Sequence, residues 1–362
     1  MPKLLAVVLL ILFSHVTPAQ LIVADSFELK KFDLIPCTPV KDQNMSSTCW
    51  SFASNSFIES ELLRMGKGEY DLSEMYTARM AYLQKIKTHL KTKGQNYFTP
   101  GGQFHDVQFV LKNYGMVPET VYNGKTNGET YHNHEQLDAL MAKYINQLVA
   151  KGIKEPDAND WKYINGLLDK YLGKVPLSFI YKGKKYTPQS FLKNELEFDP
   201  DDYIELTSYT HHPYYSGFVL ENKYNWSSSK YMNVPFADFI RITDEALKNG
   251  YSVIWNGDVD ESTFHFSGSY AYLNPPYDIV KERQRTFEDS TSSLDHAMHI
   301  TGLTTDNAGR RWYYIKNSWG TSNTSGGYIL MDENYFSIKT AAIVVNKKGI
   351  PADIRLKMGL KN

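Results

Sequence analysis

Cysteine is almost absent from this sequence: Cys37 and Cys49 are the only two in 362 residues. Two thiols cannot make a disulfide scaffold of a chain this size. Either they bridge each other, or at least one is kept for its chemistry. An excess of charge of one sign is also lacking. With 39 Lys and Arg against 40 Asp and Glu, the net charge is -1, which offers no electrostatic footprint for nucleic acid. Long hydrophobic runs are missing beyond the first residues. Lys3 precedes an apolar run from Leu4 to Phe13, and a polar stretch ends in Thr17-Pro18-Ala19-Gln20. That run is too short for a comfortable bilayer span. It reads as a signal peptide over residues 1–19, cut near Ala19. The mature protein is therefore expected to be secreted or periplasmic, without membrane attachment after cleavage. Repeats are absent, and the one biased stretch, Trp226-Ser227-Ser228-Ser229, reads as a loop.

What remains is a chain with enough apolar residues, 42 %, for a large core. Pro36 and Pro39 keep the lead around Leu34–Val40 extended. Cys49 to Met65 reads as a helix, with Trp50, Ala53 and Phe57 on one face and Gly66 as its stop. A second helix starts at Ser73 as N-cap with Glu74 in its first turn. A third spans about Gln103 to Asn113 and ends at Gly115. Two more are expected over 133–151 and 157–172. The character changes near residue 200. Tyr203–Ser208, Gly217–Glu221, Ser252–Asp258, His296–Thr304, Arg311–Asn317, Gly327–Met331 and Thr340–Asn346 read as strands between turn signals, with a helix at 236–249 among them. An α+β fold is expected, with a helical domain over 20–199, a β-rich domain over 200–362, and a cleft between them.

Three segments carry chemistry. A cysteine in the first turn of a helix feels the positive end of the helix dipole, which favours thiolate, the nucleophile of acyl transfer. Gln43, six residues earlier, can return its amide toward Cys49 and complete an oxyanion hole with the Cys49 N–H. His296 opens one strand, and Asn317 ends the next. An asparagine there can fix the tautomer and orientation of the imidazole, and Trp319 can cover that hydrogen bond. His299, three places on, should face away on the strand.

In the order Gln43…Cys49-Trp50, His296-Ala297, Asn317-Ser318-Trp319-Gly320, these segments resemble the signatures of the papain superfamily, whose Cys-His-Asn logic is well known. Within it the chain looks most like the bleomycin hydrolase and aminopeptidase C branch. The features are Gln43-Asn44-Met45-Ser46-Ser47, Leu72-Ser73-Glu74, Gly101-Gly102-Gln103, Asn113-Tyr114-Gly115, His212-Pro213-Tyr214 and Asp295-His296-Ala297-Met298. The resemblance runs from about residue 34 to about 355. It implies a papain-like fold and a cysteine-type peptidase, aminopeptidase-like, acting on peptide or protein substrates through a Cys49 acyl-enzyme. It also implies that Gly101 and Gly102 bind substrate backbone as an added strand. Three departures stand out. Ser47 replaces the branch's usual glycine, a leader precedes a normally cytoplasmic type of enzyme, and the chain is shorter than typical members. A homo-oligomer is one form the resemblance implies, with the insertions that build a hexameric cage reduced here. In that branch the C-terminal residues run into the cleft and block one end. Here Ile354 to Asn362 read as a short strand or a frayed end.

Thiol, imidazole and amide chemistry needs no cofactor, and none is expected. His211-His212 and His132-Asn133-His134 invite a metal reading. Neither has an acidic or thiol partner at ligand spacing, and neighbours on a strand point apart, so no metal site is assigned. Cys37 is expected to be a small, unbridged side chain. Two rivals keep the same residues: a papain-fold amidase or transferase on a non-peptide amide, and a non-catalytic module. Intact Cys49, His296, Asn317 and Gln43 weigh against the second.

Overall fold

A computed structural model describes residues 27, 29–30, 33–126, 128–274 and 278–360. The leader run Leu4–Phe13, Ala19 and Lys361 lie outside them. The first half is helical: α1 Cys49–Arg64, α2 Glu74–Lys91, α3 Phe104–Tyr114, α4 Glu135–Ala150 and α5 Ala158–Leu172. Local chemistry sets their ends. The Ser73 hydroxyl accepts from the Tyr76 N–H at 3.0 Å and caps α2. Asp157 accepts from the Asn159 and Asp160 N–H groups and caps α5. Gly115 stops α3 at φ +80°, where a Cβ would lie 2.3 Å from the Pro188 carbonyl carbon, so only glycine fits.

The second half supplies ten strands of a sheet that has eleven among the described residues, the other being β1 Asp33–Leu34 from the start of the chain. Its centre is β4 Tyr203–Thr207, β13 Thr340–Asn346, β7 Val253–Gly257, β10 His296–Thr305, β11 Arg311–Lys316 and β12 Tyr328–Asp332, in that spatial order. The pairs within this centre are antiparallel. Alternation along these strands feeds two cores. Ile254, Ala297 and Val344 face the helical half and pack with α1. Val253, Trp255, Met298, Ile300, Ile343 and Val345 face the other way, against the helix α6 Phe236–Lys248. The expected α+β arrangement is what forms. Among the described residues no helix is long and apolar enough to cross a membrane.

Some elements were not foreseen. A β-hairpin, β2 Phe179–Tyr181 with β3 Lys184–Tyr186, extends the helical half. A helix over Ile279–Glu288 lies in a stretch whose charges masked it. Over its described residues, to Leu360, the tail is neither a strand nor frayed: Ala352–Lys357 forms helix α9. Ile354 and Met358 are buried with α6, and Arg241 holds Asp353 by two bonds of 2.7 and 2.9 Å. Apolar residues four apart, Ile354 and Met358, meet on one helix face, a spacing that the alternation of basic and apolar residues obscures. Helix α9 thus covers the sheet face opposite Cys49.

Replacing the fully buried Ile354 with alanine is expected to cost about 2–5 kcal/mol, read as a lower thermal midpoint, with kcat/KM of the folded fraction unchanged. A loss of activity without loss of stability would show that the tail serves the cleft instead.

Candidate active site

The loop before Cys49 is pinned on both flanks. The Gln43 N–H donates to the Ser318 carbonyl at 2.8 Å, and the Gly320 N–H donates to the Lys41 carbonyl at 3.2 Å. On the other side the Met45 N–H donates to the His132 carbonyl, and the His134 N–H to the Met45 carbonyl, both at 3.0 Å. The segment that invited a metal reading therefore supports the loop that presents the thiol. Its two imidazoles are buried, and burial lowers them to about 3 and about 4. Ser47 sits at φ +54°, the left-handed region. A residue with a Cβ is strained there by roughly 1–2 kcal/mol, which accounts for glycine at this place in the branch the sequence resembles.

Cys49 opens α1 on the floor of a cleft enclosing about 360 Å³. Gln43, Gly101, Gly102, His296 and Trp319 line the same cleft, so every site residue read from the sequence except the buried Asn317 reaches its surface. Asn317 lies directly behind. Its Oδ1 is 2.7 Å from His296 Nε2 and also accepts from the Ser318 N–H at 2.8 Å. The Ser318 N–H, which can only donate, fixes that atom as oxygen, so His296 Nε2 carries its hydrogen and Nδ1 keeps its lone pair. The Trp319 ring covers the imidazole, with centroids 4.6 Å apart. The Ser318 hydroxyl donates to Gln43 Oε1 at 2.7 Å, which holds the amide so that its NH₂ is the group left for the cleft. His299 lies on the opposite side of β10, its Nδ1 2.9 Å from Ser56 Oγ of α1.

Burial dominates the electrostatics. It pushes the Cys49 thiol up to about 11, opposed by the N–H groups of Ala297 and Trp50. It lowers His296 to about 4, opposed by the bond to Asn317. The expected helix-dipole preference for thiolate is therefore outweighed: taken singly, each group is held neutral. A proton passed from sulfur to Nδ1 creates both charges together, and each then offsets the other's cost. Asp295 is raised to about 6 by burial and then by Asp258.

Two residues that hold the glycine pair escaped the sequence reading, Lys85 from behind it and Tyr224 from within the cleft. Lys85 of α2 donates to the carbonyls of Thr99, at 2.7 Å, and of Gly101, clamping the glycine strand. Tyr224 rests on Gly101 from a loop of the other half, 3.5 Å from where a Cβ would stand. No local pattern in the sequence marks either. Gly102 has its own packing reason for glycine, since a Cβ would meet the Trp50 ring at 2.8 Å.

The histidine pair also needs a correction. Glu221, nine and ten residues on, does reach His212 Nε2 at 2.5 Å and His211 Nε2 at 3.3 Å. The chain turns back along β5 Ser216–Val219 to bring it there. Gln284 Oε1 accepts from the Thr210 N–H, and its Nε2 donates to His211 Nδ1. The hydrogen of His211 is then on Nε2, directed at Glu221, which is a hydrogen-bonded trio rather than a lone pair offered to a metal.

Both cysteines are free, and Cys37 Sγ lies 3.3 Å from the Tyr328 hydroxyl. Thiol counting on active enzyme is expected to find two, and Cys37→Ser is expected to keep turnover within a few-fold. A disulfide in active preparations would contradict this arrangement.

Comparison with known proteins agrees with the geometry. The model of the Peptidase C1-like family matches residues 25–360. Aminopeptidase G of Lactobacillus delbrueckii subsp. lactis is 25 % identical over 88 % of this chain and 83 % of its own length. Aminopeptidase E of Lactobacillus helveticus is 26 % identical over 85 % of this chain and 81 % of its own. The crystal structure of PepW from Lactobacillus rhamnosis HN001 superposes with a TM-score of 0.71 over 93 % of this chain and 86 % of that one, at 21 % identity, a likeness of fold. With a thiol and an imidazole lining one cleft and the asparagine partner of the imidazole directly behind it, the chain belongs to the Peptidase C1-like family and is a cysteine-type peptidase.

Proposed function

We propose that the protein is an aminopeptidase that cleaves peptides through a Cys49 acyl-enzyme. The observation that carries this is the hydrogen-bonded set His296–Asn317 and Gln43–Ser318, converging on the cleft where α1 presents Cys49. Cys49 Sγ attacks the scissile carbonyl carbon while His296 Nδ1 takes its proton. The Gln43 NH₂ and the Cys49 N–H receive the oxyanion. The carbon–nitrogen bond breaks, and His296 returns the proton to the departing amine, leaving a thioester. Water, deprotonated by the same imidazole, then releases the acyl product and restores the thiol. Asn317 keeps Nδ1 turned to the sulfur throughout, and Trp319 shields that bond. The leaving amine must lie within reach of His296, so the acyl side of the substrate runs the other way, along Gly102 and Gly101.

The names of the relatives support action at a free N-terminus. The test is steady-state kinetics with one peptide and its N-acetylated twin. The native enzyme is expected to favour the free peptide by at least tenfold; equal cleavage would make it an endopeptidase. Cys49→Ala and His296→Ala are each expected to lose about 10³-fold or more in kcat, Asn317→Ala less, and His299→Gln little per folded molecule. Full turnover by Cys49→Ala would end the acyl-enzyme reading.

The apolar run Leu4–Phe13 supports export of the enzyme. N-terminal sequencing of mature protein is expected to start after Ala19; an intact Met1 in exported material would oppose leader cleavage.

A further inference from the structure

The segment that carries the glycine pair is not held by secondary structure. Residues 97–102 belong to no helix or strand, and among the described residues none of them makes a main-chain to main-chain hydrogen bond. Such a segment keeps one position only if side chains hold it. Three consecutive carbonyls are held in that way. Lys85 Nζ donates to the Thr99 carbonyl at 2.7 Å and to the Gly101 carbonyl, and Trp50 Nε1 donates to the Pro100 carbonyl between them at 3.1 Å. Trp50 follows Cys49 in α1, and its ring stands 2.8 Å from where a Cβ on Gly102 would lie. One indole and one ammonium group thus connect the thiol-bearing helix to the glycine pair.

Burying that ammonium group is costly. Lys85 is 2 % exposed, and its Nζ lies 5.6, 5.8 and 5.6 Å from the ring centroids of Trp50, Tyr82 and Trp226. Burial lowers it to about 8, opposed by Asp106 and Asp138. Both carboxylates bond elsewhere. Asp106 accepts from Trp226 Nε1 at 2.9 Å and from the Gln103 N–H at 2.8 Å, and Asp138 accepts from the Tyr82 hydroxyl. The hydrogens of Lys85 go to the Thr99 and Gly101 carbonyls instead. A methionine would fill the space among the three rings without the desolvation cost. The charge is explained by the two carbonyls it holds, not by the core it crosses.

We propose that Lys85 is a positioning residue of the peptidase: through the Thr99 and Gly101 carbonyls it fixes the glycine pair against Trp50, where the acyl-side backbone of a substrate docks beside Cys49. This rests on the reading above that the acyl side runs along Gly102 and Gly101. Lys85 touches neither substrate nor thiol, so it governs docking and leaves the reactivity of Cys49 alone.

The test uses one reactive group with and without a peptide. A chloromethyl ketone built on the acyl segment of a peptide the enzyme cleaves is compared with chloroacetone, in the full-length native enzyme, Lys85→Met and Lys85→Gln. The rate of Cys49 alkylation is read by peptide mapping, and thermal midpoints check that each variant folds. The native enzyme is expected to react faster with the peptidyl reagent by roughly 100-fold or more, the gain from docking. Lys85→Met is expected to lose roughly 10–100-fold of the peptidyl rate, the scale on which a misplaced docking group acts, and to keep the chloroacetone rate within about twofold. In steady state its kcat/KM falls by the same factor, through KM more than kcat. Lys85→Gln, which keeps an NH₂ group for one carbonyl, is expected to lose less. If the native enzyme reacts with both reagents alike, the reading of the acyl side falls and this one falls with it. If the native enzyme separates the reagents and folded Lys85→Met separates them equally, the Lys85 assignment is overturned while that reading stands. An equal loss with both reagents would mark damage to Cys49 itself and would overturn the assignment too.

Discussion

Burial of helix α1 between the two halves is the constraint on which the rest depends. Its residues from Trp50 to Leu62 are buried on all sides, so no face of the helix can leave a polar group to solvent. Ser56, Glu59 and Glu61 must find partners, and for Ser56 and Glu61 the sheet supplies them across the lobe boundary. Lys316 reaches Ser56 Oγ at 2.8 Å, and Tyr203 and Asn346 reach Glu61 at 3.0 and 2.8 Å. Glu59 accepts from Thr38 and from the Leu72 N–H. Removing one partner from such a set leaves an unpaired buried group and costs several kcal/mol. The helix is thereby locked in register against β10, and its first residue is held where His296 begins that strand.

The same burial explains the electrostatic state of the site. A thiol and an imidazole in a poorly solvated cleft each resist charge, but they gain it together by exchanging one proton. The protein prepares that exchange by fixing hydrogens rather than by supplying charge. The Ser318 N–H fixes Asn317 Oδ1 as the acceptor that sets the histidine tautomer, and the Ser318 hydroxyl sets the Gln43 amide. Three consecutive residues after β11 therefore orient His296, hold the Gln43 amide and cover the bond between His296 and Asn317.

The residues proposed as the catalytic set were legible in the sequence because each sits in a short segment whose neighbours pack or bond with it. Cys49 opens a helix with an apolar face, and Asn317-Ser318-Trp319-Gly320 closes a strand. The helix caps and most strands were legible for the same reason: Ser73, Gly115 and the alternation of His296–Thr305 act locally. What stayed hidden depends on contacts between distant residues. Tyr224 and Gly101 meet only because a loop crosses between lobes, and Lys85 finds its carbonyls only after α2 has packed. Glu221 joins His211 and His212 through a chain reversal. The effect of the helix dipole on Cys49 was judged from position alone, whereas burial, which sequence does not display, decides its direction.

The central claim is that Cys49, rather than Cys37, forms the covalent intermediate. The most direct measurement is peptide mapping of the native enzyme after treatment with one equivalent of an epoxide that traps reactive thiols. The account predicts a single adduct on Cys49, with turnover lost in proportion to its formation and Cys37 unmodified. An adduct confined to Cys37, or full turnover with Cys49 modified, would contradict it.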